Sequence, residues 1–157
     1  MQRISMIIFT ALLICLCTYA GARTYIVDDS GFANYESIQR AVDAASDGDT
    51  IYIKPGQYSE EIMLNHSLTL LPLIGETDPI ILDGGSSLET AVTINAGGCS
   101  LQGLTVRNYL GPAINIESKG NTIRENVIEN SNPALLARES DENSISGNII
   151  TNCQGGI

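Results

Sequence analysis

Apolar residues in this chain come in short bursts. Thr24–Val27, Thr50–Ile53, Glu61–Leu64, Ser67–Leu71, Pro79–Leu82 and Ala91–Ile94 are β-type runs separated by turn residues. Runs this brief, rich in Ile, Leu, Val and Thr, predict β-strands. One stretch differs. Ile38, Ala41, Val42 and Ala45 recur at helical spacing, Asn34 can cap the start, and Gly48 in Ser46-Asp47-Gly48-Asp49 can close the end in a left-handed conformation. A single helix between strands is expected there.

The later chain repeats. Cys99-Ser-Leu101-Gln-Gly-Leu104-Thr-Val106-Arg-Asn108 aligns with Asn121-Thr-Ile123-Arg-Glu-Asn126-Val-Ile128-Glu-Asn130 and with Asn143-Ser-Ile145-Ser-Gly-Asn148-Ile-Ile150-Thr-Asn152, each 22 residues after the last. A fixed period with strands too short for helix pairs predicts a solenoid of stacked β-coils. Neighbouring coils would lie about 4.8 Å apart, so equivalent residues form ladders. Leu101, Ile123 and Ile145 become one inward aliphatic stack, and Val106, Ile128 and Ile150 a second. Asn108, Asn130 and Asn152 become a corner ladder, because Asn tolerates left-handed backbone and its amide can bond to the residues above and below. Cys99 and Cys153 fall on different parts of the perimeter, two coils apart. That offset of about 10 Å exceeds the roughly 7 Å Cα limit of a disulfide, so two separate thiols are expected.

Residues 1–22 change the picture of where the chain works. Arg3, the apolar stretch Ile4–Cys17 and the small residues Ala20-Gly21-Ala22 form a signal-peptide pattern, with cleavage before Arg23. The fourteen residues Ile4–Cys17, interrupted only by Ser5 and Thr10, rise about 21 Å as a helix, short of a roughly 30 Å bilayer core. The mature chain would carry 18 acidic and 7 basic residues. That balance excludes a nucleic-acid surface, which needs clustered Lys and Arg. With aromatics at 5% and no Trp, an aromatic sugar platform is excluded too.

Ser37–Ile62, Ser67–Leu71 followed by Ile80–Gly84, and the Asn-rich coils resemble right-handed parallel β-helix proteins of the pectin-lyase-like superfamily. The coils look like NosD-like repeats, which are similar to repeats in cell-surface proteins of methanogenic archaea. The resemblance implies an all-β, right-handed single-stranded parallel β-helix. Residues 23–49 would supply an N-terminal strand and a capping helix at Tyr35–Ala45, similar to the helix that plugs the open end of the coil in such proteins. Residues 50–157 would form the coils, truncated at Ile157 or capped there by self-association.

The resemblance brings chemistry to weigh. Pectin methylesterases begin with a stretch like Ser37–Ile62, but their Gln-Asp-Thr-Leu and Gly-Arg-Pro-Trp segments are missing here, as is the polygalacturonase pattern. No catalytic residue is assigned. Asp28-Asp29 reads as a turn into the cap, Asp47 and Asp49 as a polar turn, and Glu60-Glu61 as a solvated edge. Arg107 and Glu129 should stack as a surface ion pair. Glu125 stands between Gly103 and Gly147 in its ladder, so Arg124, Glu125 and Glu129 are the candidate ligand-binding residues. Calcium could bridge such carboxylates to an acidic sugar. Copper, which the NosD likeness brings in, would need Cys, Met or His, and Met63, His66, Cys99 and Cys153 have no metal-ligand spacing. No metal site is assigned. Asn65-His66-Ser67 is the one N-glycosylation sequon and fits an exposed corner.

The expected protein is an exported, non-catalytic β-helix at the cell surface, in the extracellular space or, in a diderm bacterium, in the periplasm. Its expected partners are polysaccharide or cell-envelope components. A fragment of a polysaccharide lyase, hydrolase or esterase, and a NosD-like factor in copper-site maturation, are the alternatives.

Overall fold

The computed structural model describes residues 21–138 and 140–155. The expected leader lies almost wholly outside them, as does Ile157. Strand β1 (Thr24–Val27) and helix α1 (Ile38–Ala44) open the chain. Coils of three strands follow: β2 (Thr50–Ile53), β3 (Gly56–Tyr58) and β4 (Ile62–Leu64); β5 (Thr69–Pro72), β6 (Ile80–Asp83) and β7 (Val92–Ile94); β8 (Ser100–Gln102), β9 (Leu104–Arg107) and β10 (Ile114–Ile116); β11 (Thr122–Arg124), β12 (Val127–Glu129) and β13 (Leu135–Ala137). A last coil begins with β14 (Ser144–Ser146) and β15 (Ile149–Thr151). Over the described residues the result is an all-β, right-handed parallel solenoid of about six turns with one short helix.

Each complete coil gives one strand to each of three parallel sheets. Sheet A runs β1-β2-β5-β8-β11-β14, sheet B runs β3-β6-β9-β12-β15, and sheet C runs β4-β7-β10-β13. Strands of three or four residues suffice because one coil alone buries nothing; stacking on its neighbours makes the core. Ile123 pairs in register with Leu101 and Ile145, and the column extends down through Leu70 and Ile51. Ile128 pairs with Val106 and Ile150, above Leu82 and Tyr58. Both expected aliphatic stacks therefore exist, fully buried through Ile123 and Ile128 and partly open at Ile145 and Ile150.

The 22-residue period holds only for the last coils. Thr24, Thr50, Thr69 and Ser100 are consecutive rungs of sheet A, so the earlier coils take 26, 19 and 31 residues. Insertions and deletions at the corners absorb the differences. β3 escaped the sequence reading because it follows Pro55 and holds only Gly-Gln-Tyr, yet Gly56 and Tyr58 pair with Ile80 and Leu82.

Two buried asparagines close the corners. Asn126, fully buried, accepts from the Leu104 N–H (3.0 Å) and donates to the Leu101 carbonyl (3.1 Å) and to Asn148 Oδ1 (3.0 Å). Asn121 accepts from the Cys99 N–H (2.9 Å) and donates to Asn143 Oδ1 (3.0 Å). The backbone turns away from sheet pairing at these points, and the amides take up groups that would otherwise be orphaned in a dry interior.

The helix is shorter than the sequence suggested. Its N-cap is Ser37, not Asn34, and its C-cap is Ala45, not Gly48. Asn34 instead accepts from the Ile26 N–H (3.3 Å), and the Gly48 N–H reaches the Ser67 carbonyl (2.7 Å). Ile38, Ala41 and Val42 are buried against the first coil. Glu60 is no solvated edge: its carboxylate accepts from the N–H groups of Ile38 (3.0 Å) and Gln39 (2.9 Å) and from the Ser37 hydroxyl (2.7 Å). Negative charge at a helix start is favourable, since those N–H groups have no partner within the helix. Glu61 likewise accepts from the N–H groups of Glu89 (2.8 Å) and Thr90 (3.2 Å) in the next coil.

The N-terminal end is sealed edge by edge. Side-chain acceptors meet outward N–H groups on the first strand of every sheet: Asn34 on Ile26 of β1 (3.3 Å), Asp29 on Gln57 of β3 (3.1 Å) and Gln39 on Met63 of β4 (2.7 Å). Asp28, 4% exposed, pins the same turn through Lys54 Nζ (2.8 Å) and Ser30 (N–H, 3.0 Å). The Lys54 ammonium, with the Ser30 donors, lowers the Asp28 pKa to about 2.

Candidate functional site

Arg124, Glu125 and Glu129 are not brought together as a site. Arg124 lies on sheet A between Gln102 and Ser146 in the pairing register, while Glu129 lies on sheet B beside Arg107 and Thr151. Glu125 is the corner residue between β11 and β12. Its φ of +56° matches the left-handed φ of Gly103 (+72°) and Gly147 (+65°), which occupy the same corner in the coils below and above. A Cβ at Gly103 would stand 2.7 Å from the Pro72 ring, so that rung has no room for a side chain, whereas a Cβ at Gly147 would meet Glu125 only at ordinary contact distance, 3.6 Å. The Glu125 carboxylate takes the Gln102 amide at 2.7 Å.

The expected Arg107–Glu129 pair is replaced by another. The two are register neighbours, but the Arg107 guanidinium turns down to Asp83 (Nε–Oδ2, 2.8 Å). Asp83 also accepts from the Asn108 amide (2.9 Å) and the Gly85 N–H (3.0 Å). These contacts, the Asn108 bond foremost, hold its carboxyl below the usual carboxylate range. Asp83 and the half-buried Glu129 flank Arg107 in the sheet register, and the charge-assisted bond goes to Asp83.

Asp83 is the foot of the asparagine ladder. Asn108, Asn130 and Asn152 all have left-handed backbone, with φ of +59°, +50° and +54°. Asn130 Nδ2 donates to Asn108 Oδ1 (3.1 Å), and Asn108 in turn to Asp83. The ladder runs along the corner between sheets B and C, beside a shallow cleft of about 290 Å³. Asn130, Asn132, Asn152, Gln154 and Ser86 line it, with the half-exposed Leu110 and the buried Tyr109 as apolar surface. No carboxyl or cationic group is among its lining residues.

The sequence reading found the ladder and missed the cleft beside it. The same 22-residue spacing carries Leu110, Asn132 and Gln154, and that was the available signal. Tyr109 anchors the cleft floor by donating its hydroxyl to the Glu60 carbonyl (2.7 Å), and burial pushes its pKa well up.

Among the described residues no three His, Cys, Asp or Glu side chains gather as metal ligands. Cys99 and Cys153 are free thiols, as expected. Cys99 is buried with its sulfur against the carbonyls of His66 (3.3 Å) and Ala96 (3.2 Å), and burial raises its pKa. Asp47 contacts the Ser67 N–H (2.8 Å) and His66 Nδ1 (3.4 Å); Asp49 accepts from the N–H groups of Arg23 (2.6 Å) and Ser46 (2.8 Å). Both serve turns. No described helix is long and apolar enough to cross a membrane.

Residues 90–157 match the family model of the right handed beta helix region. A cell surface glycoprotein of Methanothermus fervidus is 26% identical over 132 residues, covering 83% of this chain and 21% of that protein. A probable pectinesterase/pectinesterase inhibitor of Arabidopsis thaliana is 29% identical over 102 residues, covering 55% of this chain and 18% of that protein. The chain thus spans about a fifth of the length of these two relatives. No solved structure matches it. With three sheets in continuous parallel register and these likenesses beside them, the chain has a right-handed parallel β-helix fold, and it is similar over residues 90–157 to the right handed beta helix region and over most of its length to part of an archaeal cell surface glycoprotein.

Proposed function

We propose that the chain is an exported, non-catalytic surface module that binds carbohydrate along the asparagine-lined corner between sheets B and C. The observation that carries this reading is the chemistry of the cleft: amides and hydroxyls beside Leu110, with no charged group in the lining. Neutral donors and acceptors around a small apolar patch suit a sugar, which presents hydroxyls at its rim and C–H groups on its ring faces. The ladder holds Asn108 and Asn130 in place before any ligand arrives, so less ordering is required on binding.

An alternative is that the chain is part of a polysaccharide-modifying enzyme, which the likeness to the Arabidopsis pectinesterase favours. Its catalytic groups would then lie elsewhere in a longer protein, since the cleft lining offers no acid or base. A role in copper-site maturation has no comparable support.

The test is a glycan array with the purified protein, repeated with Leu110→Ala, Gln154→Ala and Arg124→Ala. Retention of a neutral glycan, at least tenfold weaker in the first two variants and unchanged in the third, supports the corner. Equal loss in Arg124→Ala moves the site to sheet A. Retention of no glycan by the wild type ends the proposal.

A further inference from the structure

The sequon Asn65-His66-Ser67 occupies the corner between β4 and β5, next to the helix. Asn65 and His66 are exposed, outside any strand. Asn65 Oδ1 accepts from Asn95 Nδ2 (2.9 Å) in the coil above, so the amide plane is fixed. Nδ2 has no hydrogen-bond partner among the described residues. Substitution on Nδ2 leaves the bond at Oδ1 untouched, so a modified Asn65 still fits this corner.

Beside it is a second cleft, of about 110 Å³, lined by Val42, Asp43, Met63, Asn65 and His66. Met63 is 49% exposed on the outer face of β4, an unusual place for a large apolar side chain among polar neighbours. Val42 and Met63 give the cleft an apolar wall; Asp43 and His66 give it a carboxylate and an imidazole. That pairing suits a sugar ring attached at the cleft mouth.

We propose that Asn65 carries an N-linked glycan whose innermost sugar lies over Met63 in this cleft. The donor is an oligosaccharide linked to a polyprenyl phosphate or pyrophosphate, used by a membrane-bound oligosaccharyltransferase. The lone pair of Asn65 Nδ2 forms the bond to the sugar C1. The C1–O bond to phosphate breaks, the lipid-linked phosphate leaves with that electron pair, and one Nδ2 proton passes to the transferase's base. Sequon recognition needs the Ser67 hydroxyl, which in the folded chain donates to the Gly98 carbonyl (3.1 Å). Transfer therefore precedes closure of the coil that carries Gly98. This proposal does not rest on the asparagine-lined corner, and the two can fail separately.

The test is intact-mass and peptide mass spectrometry of the protein purified from the organism that makes it, with variants expressed in the same host. A glycan mass on the peptide containing Asn65 is expected. It should be lost in Asn65→Gln and Ser67→Ala and kept in Ser67→Thr, which distinguishes sequon chemistry from misfolding. Nuclear Overhauser contacts between the Met63 methyl and the innermost sugar are expected in the modified protein. A bare polypeptide mass for the wild type, or a glycan that persists in Asn65→Gln, overturns the site. A glycan on Asn65 without contacts to Met63 overturns the seating.

Discussion

Asn126→Ala is the sharpest probe of how the coils hold their corners. The native amide accepts from one backbone N–H, donates to one backbone carbonyl, and meets the amide of Asn148, all at 3.0–3.1 Å and with no exposure. Alanine leaves the Leu104 N–H and the Leu101 carbonyl without that partner in a dry interior. An unsatisfied buried polar group costs about 1–3 kcal/mol, so two give roughly 2–6, and we expect about 4 kcal/mol. Against a typical domain stability of about 5–15 kcal/mol this is a large fraction. In urea, with a slope near 2 kcal/mol/M, the midpoint should fall by about 2 M. Asn126→Asp should be no milder, because a carboxylate can accept from Leu104 but cannot donate to Leu101. Asn148→Ala, one coil up and half-buried, should cost less, and the double variant should cost less than the sum, since the two amides share a bond. A midpoint shift below about 0.5 M for Asn126→Ala would mean that water reaches the corner and that the amides are ornament.

Other expectations follow from single side chains. Ile123→Asp should abolish cooperative unfolding by circular dichroism, because it buries a carboxylate in a filled stack, whereas the exposed Arg124→Ala should leave the melting temperature within about a degree or two. Asp28 has a folded pKa of about 2, below its unfolded value, so its contribution to stability is complete at neutral pH and disappears as pH falls through that window. Asp28→Asn should accordingly lower the melting temperature at pH 7 and converge with wild type near pH 2; a constant gap would refute the assignment. With a thiol-reactive disulfide reagent, half-buried Cys153 should react in the native protein, while buried Cys99 waits for unfolding. Equal native rates would contradict the packing around Cys99.

The coils were legible where side chains repeat and illegible where backbone decides. Leu101, Ile123 and Ile145 announced their stack because the same two 22-residue intervals recur in Val106, Ile128 and Ile150 and in Asn108, Asn130 and Asn152. The 19- and 31-residue coils hid theirs, since a short corner after β3 in the first and longer loops after β5 and β6 in the second shift the phase without changing the core. Glu60 looked like surface charge because nothing local says that a helix start, 22 residues earlier, will come to rest on it. Arg107 and Glu129 were rightly placed as neighbours, but the pairing went to Asp83, whose other donors come from a turn that sequence spacing does not describe. The cleft beside Asn130 is likewise a property of corner shape, and corners are where the register slips by one residue, from Ile114 to Leu135.

The three acceptors that occupy the first strands of the solenoid have a consequence for assembly. A filament built by piling one molecule on another needs two complementary termini. Asn34, Asp29 and Gln39, with the helix laid across the core, remove one of them. Polymer growth by annealing at that face is forbidden, so the protein can be packed at high concentration without piling end to end into fibrils.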